Sequence, residues 1–185
     1  MKLRSKWHSN KARTVEEQAS AMAFIIWSLA MDRIKDMEKN GFQIHMPERT
    51  LNVIGEMVAF FVQLMDRWTF DSFTQEQRTV FVTEMAKKLA TTMQDNRLDA
   101  QGPGEYKKDF VDMLNQRMSA YAETTMVDDE PAYPMYLVFA KYITEQLTDL
   151  DQAWVTQAMV EVEGPESVKV LRRGMGNLFK SETTS

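Results

Sequence analysis

The sequence of 185 residues contains no cysteine and only two histidines. Without cysteine the chain cannot form a disulfide, a thiolate metal site or a cysteine nucleophile, and the composition fits a protein of the reducing cytoplasm. The histidines, His8 and His45, fall in a basic leader and in a predicted turn, so a Ser-His catalytic pair is not expected. Seven glycines and five prolines are few, which favours long helices over strands and turns.

The sequence also lacks an apolar run long enough to cross a membrane. The longest nearly apolar stretch covers residues 19–31, whereas a spanning helix needs about 20 residues. A basic leader followed by this run and Ser28-Leu29-Ala30 resembles a signal peptide. However, Glu16 and Glu17 stand directly before the run, where a signal peptide is positive, and the helical pattern continues beyond it. We therefore expect a soluble, uncleaved chain without a transmembrane segment.

Charge is distributed unevenly along the chain. Residues 1–13 carry a charge of +5 with no acid, residues 14–164 carry −12, and residues 165–185 carry +2. An acidic body is not typical of a general nucleic-acid-binding domain, whose basic patch lies on the folded part. The polar start predicts a flexible arm that can contact a phosphate backbone, an anionic membrane surface or an acidic partner through Lys2, Arg4, Lys6, Trp7, Lys11 and Arg13. The arm can equally dock on its own acidic body or only aid solubility.

One helix dominates the apolar pattern. In the stretch from Leu51 to Trp68, at about 100° per residue, apolar side chains fill an arc of about 200°. A single neighbouring helix cannot cover so wide a face. We therefore predict an all-α, single-domain bundle of about six or seven helices around a central apolar helix at about 47–68.

Capping and breaking residues delimit the other helices. Thr14 with Glu17, and Thr74 with Gln77, have the spacing of capping boxes. Gly41 and Gly164-Pro165 are expected to end helices. The predicted helices span residues 14–40, 47–68, 74–96, 105–125, 133–150, about 151–163 and 166–173. The bundle domain is expected at 14–180, with a subdivision at the loop 97–104 and a frayed end at 181–185.

No stretch carries a specific catalytic, metal or cofactor signature, and we predict neither a metal nor another cofactor. A di-iron bundle needs Glu-x-x-His on two helices, which the sequence lacks. An EF-hand loop beginning at Asp95 would place Arg97 and Tyr106 at ligand positions. No phosphate-binding glycine loop is present. An acidic turn contains three neighbouring carboxylates, which are more typical of a helix start than of acid-base catalysis: Asp128, Asp129 and Glu130.

Two sets of side chains remain as candidate surfaces. On the central helix a polar ridge can line a cleft beside Gly55 and Ala59, or form a solvated face; it consists of Asn52, Glu56, Gln63 and Arg67. On the fifth helix an aromatic set can form a ligand pocket or a partner surface, or pack in the core; it consists of Tyr133, Tyr136, Phe139 and Tyr142.

Function is therefore predicted only as a class. The first hypothesis is a non-catalytic interaction, adaptor or regulatory protein that binds a protein partner and also itself, because helices 1, 2 and 5 have wide apolar faces. The second is a sensory bundle with an apolar ligand pocket between helices. An enzyme is the third, supported only by scattered carboxylates.

Overall fold

Helices make up most of the chain. The computed structural model describes residues 13–180, and the elements of that part are α1 (Val15–Lys39), α2 (Pro47–Trp68), α3 (Gln75–Gln101), α4 (Tyr106–Ala122), β1 (Met126–Val127), β2 (Glu130–Pro131), α5 (Tyr133–Gln146), α6 (Gln152–Ala158) and α7 (Gly164–Lys180). The predicted all-α bundle is confirmed. The arm up to residue 12 and the predicted frayed end at 181–185 lie outside the described residues.

The helix starts follow the local sequence signals. The Thr14 hydroxyl accepts from the Glu17 N–H at 3.2 Å, and the Glu17 carboxylate accepts from the Thr14 N–H at 2.8 Å. Thr74 and Gln77 form the same reciprocal pair. Pro47 occupies the first turn of α2, where its missing N–H costs no hydrogen bond. These predicted starts are confirmed.

The central position of α2 is confirmed as well. The helix packs against α1, α3, α4, α5 and α7, and every residue from 53 to 65 is buried. Phe60 stacks on Phe139 of α5 with ring centroids 4.3 Å apart, and it also contacts the ring of Tyr121 on α4. The wide apolar face of α2 is therefore buried in the core of the chain itself.

Three predicted helix ends are wrong. Helix α3 continues to Gln101, and within this added segment Arg97 donates a 2.7 Å hydrogen bond to Asn52 of α2. Gly102, with φ of +83°, then ends the helix, so the predicted loop 97–104 begins five residues later. Helix α4 stops at Ala122 because the β-hairpin follows. Helix α5 stops at Gln146 rather than at residue 150.

The predicted break at Gly164-Pro165 is also wrong. Helix continues from Gln152 to Lys180 through a π-helical turn at Met159–Glu163, in which the Gly164 N–H donates to the Met159 carbonyl. Pro165 lacks an N–H and its ring would clash with a regular preceding turn, which the wider π turn avoids. A side chain at position 164 would meet the Met159 oxygen at 2.7 Å, so only glycine fits there.

A buried ion pair joins α1 to this π turn. Arg33 donates to the Glu163 carboxylate, and both residues are buried. Asn40 donates to the other Glu163 oxygen at 2.8 Å. The pair therefore fixes the start of α7 against the end of α1.

The predicted acidic turn is a β-hairpin. Val127 pairs with Glu130, which leaves Asp128 and Asp129 as a two-residue loop with φ of 50° and 61°. Two successive left-handed residues are typical of a type I′ turn. The hairpin lies against the end of α2, since Trp68 donates to the Asp129 carbonyl at 2.8 Å.

Candidate functional site

The polar ridge predicted on α2 faces other helices. Asn52 accepts from Arg97 of α3, and Arg67 donates to the carbonyls of Ala122 and Thr124 at 3.1 Å. The other two members are buried, with 3% of Glu56 and 2% of Gln63 exposed. The interpretation of the ridge as a solvated face is therefore wrong at its two middle positions.

Glu56 is the centre of an interior polar cluster between α2, α4 and α5. Arg117 donates to both carboxylate oxygens, at 2.7 and 2.8 Å, and Gln146 lies 3.4 Å from one of them. The Arg117 guanidinium lies 3.7 Å from the centroid of the Tyr142 ring. This geometry combines a bidentate ion pair with a cation–π contact.

Burial changes the titration of this cluster. Loss of hydration raises the pKa of the Glu56 carboxyl above its ordinary value, although Arg117 acts in the opposite direction. The less buried Arg117 has a raised pKa because Glu56 accepts its hydrogen bonds. Burial, followed by the nearby Glu56 charge, raises the pKa of Tyr121 well above its ordinary value. The Tyr121 hydroxyl has no hydrogen-bond partner among the described residues.

The predicted aromatic set on α5 is distributed over several environments. Phe139 is in the core and Tyr142 covers Arg117. Tyr136 is half-buried and lines a surface groove, whereas Tyr133 is exposed. The polar ridge and the aromatic set thus meet only where Tyr142 contacts the partner of Glu56.

The largest of the grooves described here lies at the C-terminal end of α2. This Trp68 groove has a volume of about 520 Å³, and Gln63 and Arg67 of the predicted ridge line it. Asp66 binds Arg78 of α3 through two hydrogen bonds of 2.6 and 2.8 Å on one wall. Its rim also includes Phe70, which is 60% exposed.

Two further grooves run along α7. The basic groove, of about 410 Å³, is lined by Lys169, Arg172 and Arg173 together with Tyr136 and Glu130. The apolar groove, of about 400 Å³, is lined mainly by Phe73, Met175 and Phe179, and by Thr69 and Ser72. The two share Arg172 and Gly176, so they form one continuous surface along the helix.

Arg172 connects the α7 grooves to the Trp68 groove. Its guanidinium carbon lies 4.4 Å from the centroid of the Trp68 ring, and it pairs with Glu130 at 3.0 Å. It also donates to the Asp129 carbonyl, which accepts from Trp68 too. Sequence reasoning missed this site although the predicted helix 166–173 included Arg172, because no local signal shows that Arg172 contacts Trp68 and the hairpin. Extending the helical pattern to residue 180 would have added Met175 and Phe179 of the apolar groove.

A smaller pocket of about 300 Å³ lies between α2, α3 and α4. The pocket has apolar walls from Met93, Phe110 and Met113 and open space at Gly55. Arg97 is among its polar lining residues. A Cβ at position 55 would lie 3.4 Å from the end of Met113 and 3.6 Å from the end of Met93. The glycine therefore leaves room about the size of a methyl group in this pocket.

The remaining predictions concern the basic arm, metal sites and membrane spans. Five members of the basic arm, Lys2, Arg4, Lys6, Trp7 and Lys11, lie outside the described residues, and Arg13 is exposed just before α1. Within residues 13–180 no group of three or more His, Cys, Asp or Glu side chains is arranged to hold a metal ion. None of the helices described is long and apolar enough to cross a membrane.

Comparison with known proteins adds no functional information. The sequence matches no protein-family model, and no curated protein or solved structure is significantly similar to it.

Proposed function

We propose that the protein is a non-catalytic, cytoplasmic interaction protein that binds a protein partner, and also a second copy of itself, through the surface around Trp68 and Arg172. The observation that carries this proposal is that three grooves of about 400 to 520 Å³ adjoin there. Their walls are rich in Trp, Arg, Phe, Tyr and Met, the residue types enriched where proteins contact one another.

The remaining exposed apolar side chains support the same class of function. Helix α2 uses its wide apolar face in the core, but α1 leaves Phe24 and Met31 exposed and α5 leaves Tyr133 and Leu137 exposed. The hairpin adds Val127, which is 60% exposed and follows Met126, a residue that lines the Trp68 groove. Exposed apolar side chains mark interaction surfaces where they are contiguous, whereas single ones are common.

A matched pair of substitutions tests the location of the surface. Phe70→Glu places a charge on the rim of the Trp68 groove, and Phe24→Glu places the same charge on α1; both side chains are largely exposed. We expect Phe70→Glu, but not Phe24→Glu, to reduce partner retention in cross-linking mass spectrometry. Equal behaviour of both variants would contradict the proposed surface.

We also propose that the basic arm makes an anionic contact. Its support is the concentration of five cations in residues 1–13 against an acidic body. Removal of residues 1–12 should leave the melting temperature unchanged, since the capped start of α1 remains, and should reduce salt-sensitive retention on heparin or anionic vesicles. Replacing the five cations by Gln while keeping Trp7 separates charge from apolar contact. Unchanged retention would exclude the contact, and a loss of melting temperature at low salt would favour docking on the body.

A second candidate function is binding of a small apolar ligand in the pocket beside Gly55. The observation that favours it is the space beside Gly55, where Met93, Phe110 and Met113 give apolar walls and the charged residues Glu48, Arg97 and Asp109 also line the pocket. Native mass spectrometry of purified protein should then show a bound mass, and Gly55→Ala should reduce the bound fraction, because the added methyl group takes the space between Met93 and Met113. A ligand-free spectrum for the wild type would exclude this candidate.

A further inference from the structure

We propose that the acidic tip of the β-hairpin docks into the basic groove of a second copy of this chain, and that the contact is reciprocal about a two-fold axis. The inference rests on the self-association in the proposed function and names the surface responsible. The acidic tip is defined as Asp128 and Asp129, and the basic groove presents Lys169 and Arg173.

The acidic tip carries charge that the chain itself leaves unmatched. Within residues 13–180 neither Asp128 nor Asp129 forms a side-chain ion pair, and both are exposed. Both hold left-handed backbone conformations, at φ of 50° and 61°, for which Asn-Gly is the favoured pair in a turn of this kind. Two aspartates thus occupy a position where residues better suited to the backbone exist.

The basic groove offers the opposite charge. Arg173 is exposed and forms no ion pair in the described part of the chain, and Lys169 has only an exposed contact to Glu166 at 3.4 Å. Arg172 is already engaged, because it pairs with Glu130 and donates to the Asp129 carbonyl. Arg172 therefore positions the hairpin, while Lys169 and Arg173 remain available to an incoming carboxylate.

The floor of the groove has an open notch at Gly176. A Cβ at Gly176 would meet nothing within 4 Å, whereas at Gly174 it would lie 2.9 Å from Ile25 of α1. Packing within the chain thus explains why position 174 is glycine, but it does not explain the glycine at position 176. Glycine inside a helix is destabilising relative to alanine. An approaching backbone, such as a hairpin tip, gives the open position a use.

The arrangement of the two parts favours a second copy as the occupant. Glu130 belongs to the hairpin and also lines the basic groove, so the acidic tip and the basic groove are neighbours on one surface. A surface whose acidic and basic halves lie side by side complements itself when rotated by 180°. Each two-fold contact would then form the same charge pairs twice.

The first test removes the charge while improving the turn. Asp128→Asn with Asp129→Gly supplies the favoured turn sequence and keeps the carbonyl that Trp68 and Arg172 bind. We expect the melting temperature to be unchanged or higher and the dimer Kd, measured by sedimentation equilibrium, to rise about tenfold or more. An unchanged Kd would overturn the proposal.

The second test reverses the charges. One variant carries Asp128→Lys with Asp129→Gly, and the other carries Lys169→Glu with Arg173→Glu. Each alone should be monomeric because like charges meet, whereas an equimolar mixture should form a heterodimer in which both contacts are restored. Circular dichroism and melting curves check that each variant folds. A folded pair that fails to form the heterodimer would overturn the proposal.

The outcomes separate this inference from the proposed function. If the wild type dimerises and the charge variants dimerise equally well, self-association uses another surface and only this inference fails. Wild type that stays monomeric up to about 1 mM removes both the inference and the self-association. Partner binding through the Phe70 rim is measured independently and survives either result.

Discussion

Removal of one partner from the Glu56–Arg117 pair should be among the most damaging single changes in the interior. In Glu56→Ala, the Arg117 guanidinium would keep its contact with the Tyr142 ring and the weaker attraction of the Glu145 carboxylate. The side chain of Arg117 is 15% exposed, so water can reach it only in part. Gln146, a neutral amide 3.4 Å from the carboxylate, cannot replace the lost charge.

The expected magnitude follows from this burial. Breaking a buried ion pair by deleting one partner costs about 3–5 kcal/mol, because the remaining charge is uncompensated. For a chain of this size that corresponds to a fall in melting temperature of about 6–20 °C. The double substitution Glu56→Leu with Arg117→Met should cost far less, since replacing both charges by apolar groups is often neutral. The thioether of the introduced methionine would also be able to pack on the Tyr142 ring.

Urea denaturation at neutral pH measures these differences. Asp112→Ala is the matched control, because it removes the carboxylate of the exposed Lys108–Asp112 pair, which contributes little to stability. The reasoning would be refuted if Glu56→Ala unfolded at the same urea concentration as Asp112→Ala. It would also be refuted if the apolar double variant were as unstable as the single one.

Three other changes test separate features of the fold. Burial raises the folded-state pKa of Glu56 above its ordinary value, so this carboxyl contributes stability below about pH 4.5 that is lost as the pH rises through its folded-state pKa. Urea titrations at a series of pH values should therefore show a smaller decrease in the free energy of unfolding from acid to neutral pH for Glu56→Gln than for the wild type. Glu163→Ala should lower stability by about 3 kcal/mol in urea melts, because the buried Arg33 would keep only the partly exposed Asp36 carboxylate, 3.2 Å away, and a loss as small as that of Asp112→Ala would contradict this. Gly176→Ala should raise stability by up to about 1 kcal/mol in the same assay at a protein concentration where the chain is monomeric, because its Cβ meets no neighbour in the single chain, and a decrease would contradict this.

Local signals were sufficient to predict much of the fold. Capping boxes need only residues three positions apart, which is why the starts of α1 and α3 at Thr14 and Thr74 were predictable. The wide apolar arc of α2 similarly predicted its central place, because such a face cannot be covered by one neighbour. Both kinds of signal act within one helix.

Features that depend on distant partners were not predictable in the same way. Glu56 and Arg117 are 61 positions apart, and Arg33 and Glu163 are 130 apart, so nothing local marks either carboxylate as buried. The π turn before Pro165 is another such case, since proline normally ends a helix and only tertiary contacts justify the wider turn. The apolar groove along α7 was missed because Met175 and Phe179 lie beyond the predicted helix end. The basic groove was missed because Glu130 and Tyr136 on its other side are distant in sequence.

The interior pairs bear directly on the proposed interaction surface. Helix α2 carries Glu56 in its middle and Trp68 at its end, while Arg67 holds the chain that leads into the hairpin. Regular helices and side chains with defined partners therefore set most of the groove walls. A surface held this way loses little conformational freedom on binding, so less of the contact energy is spent on ordering it. Changes at the rim, such as Phe70→Glu, should then act mainly on the dissociation rate of a partner. Changes at Glu56 should instead weaken folding and binding together, because they loosen the elements that carry the rim.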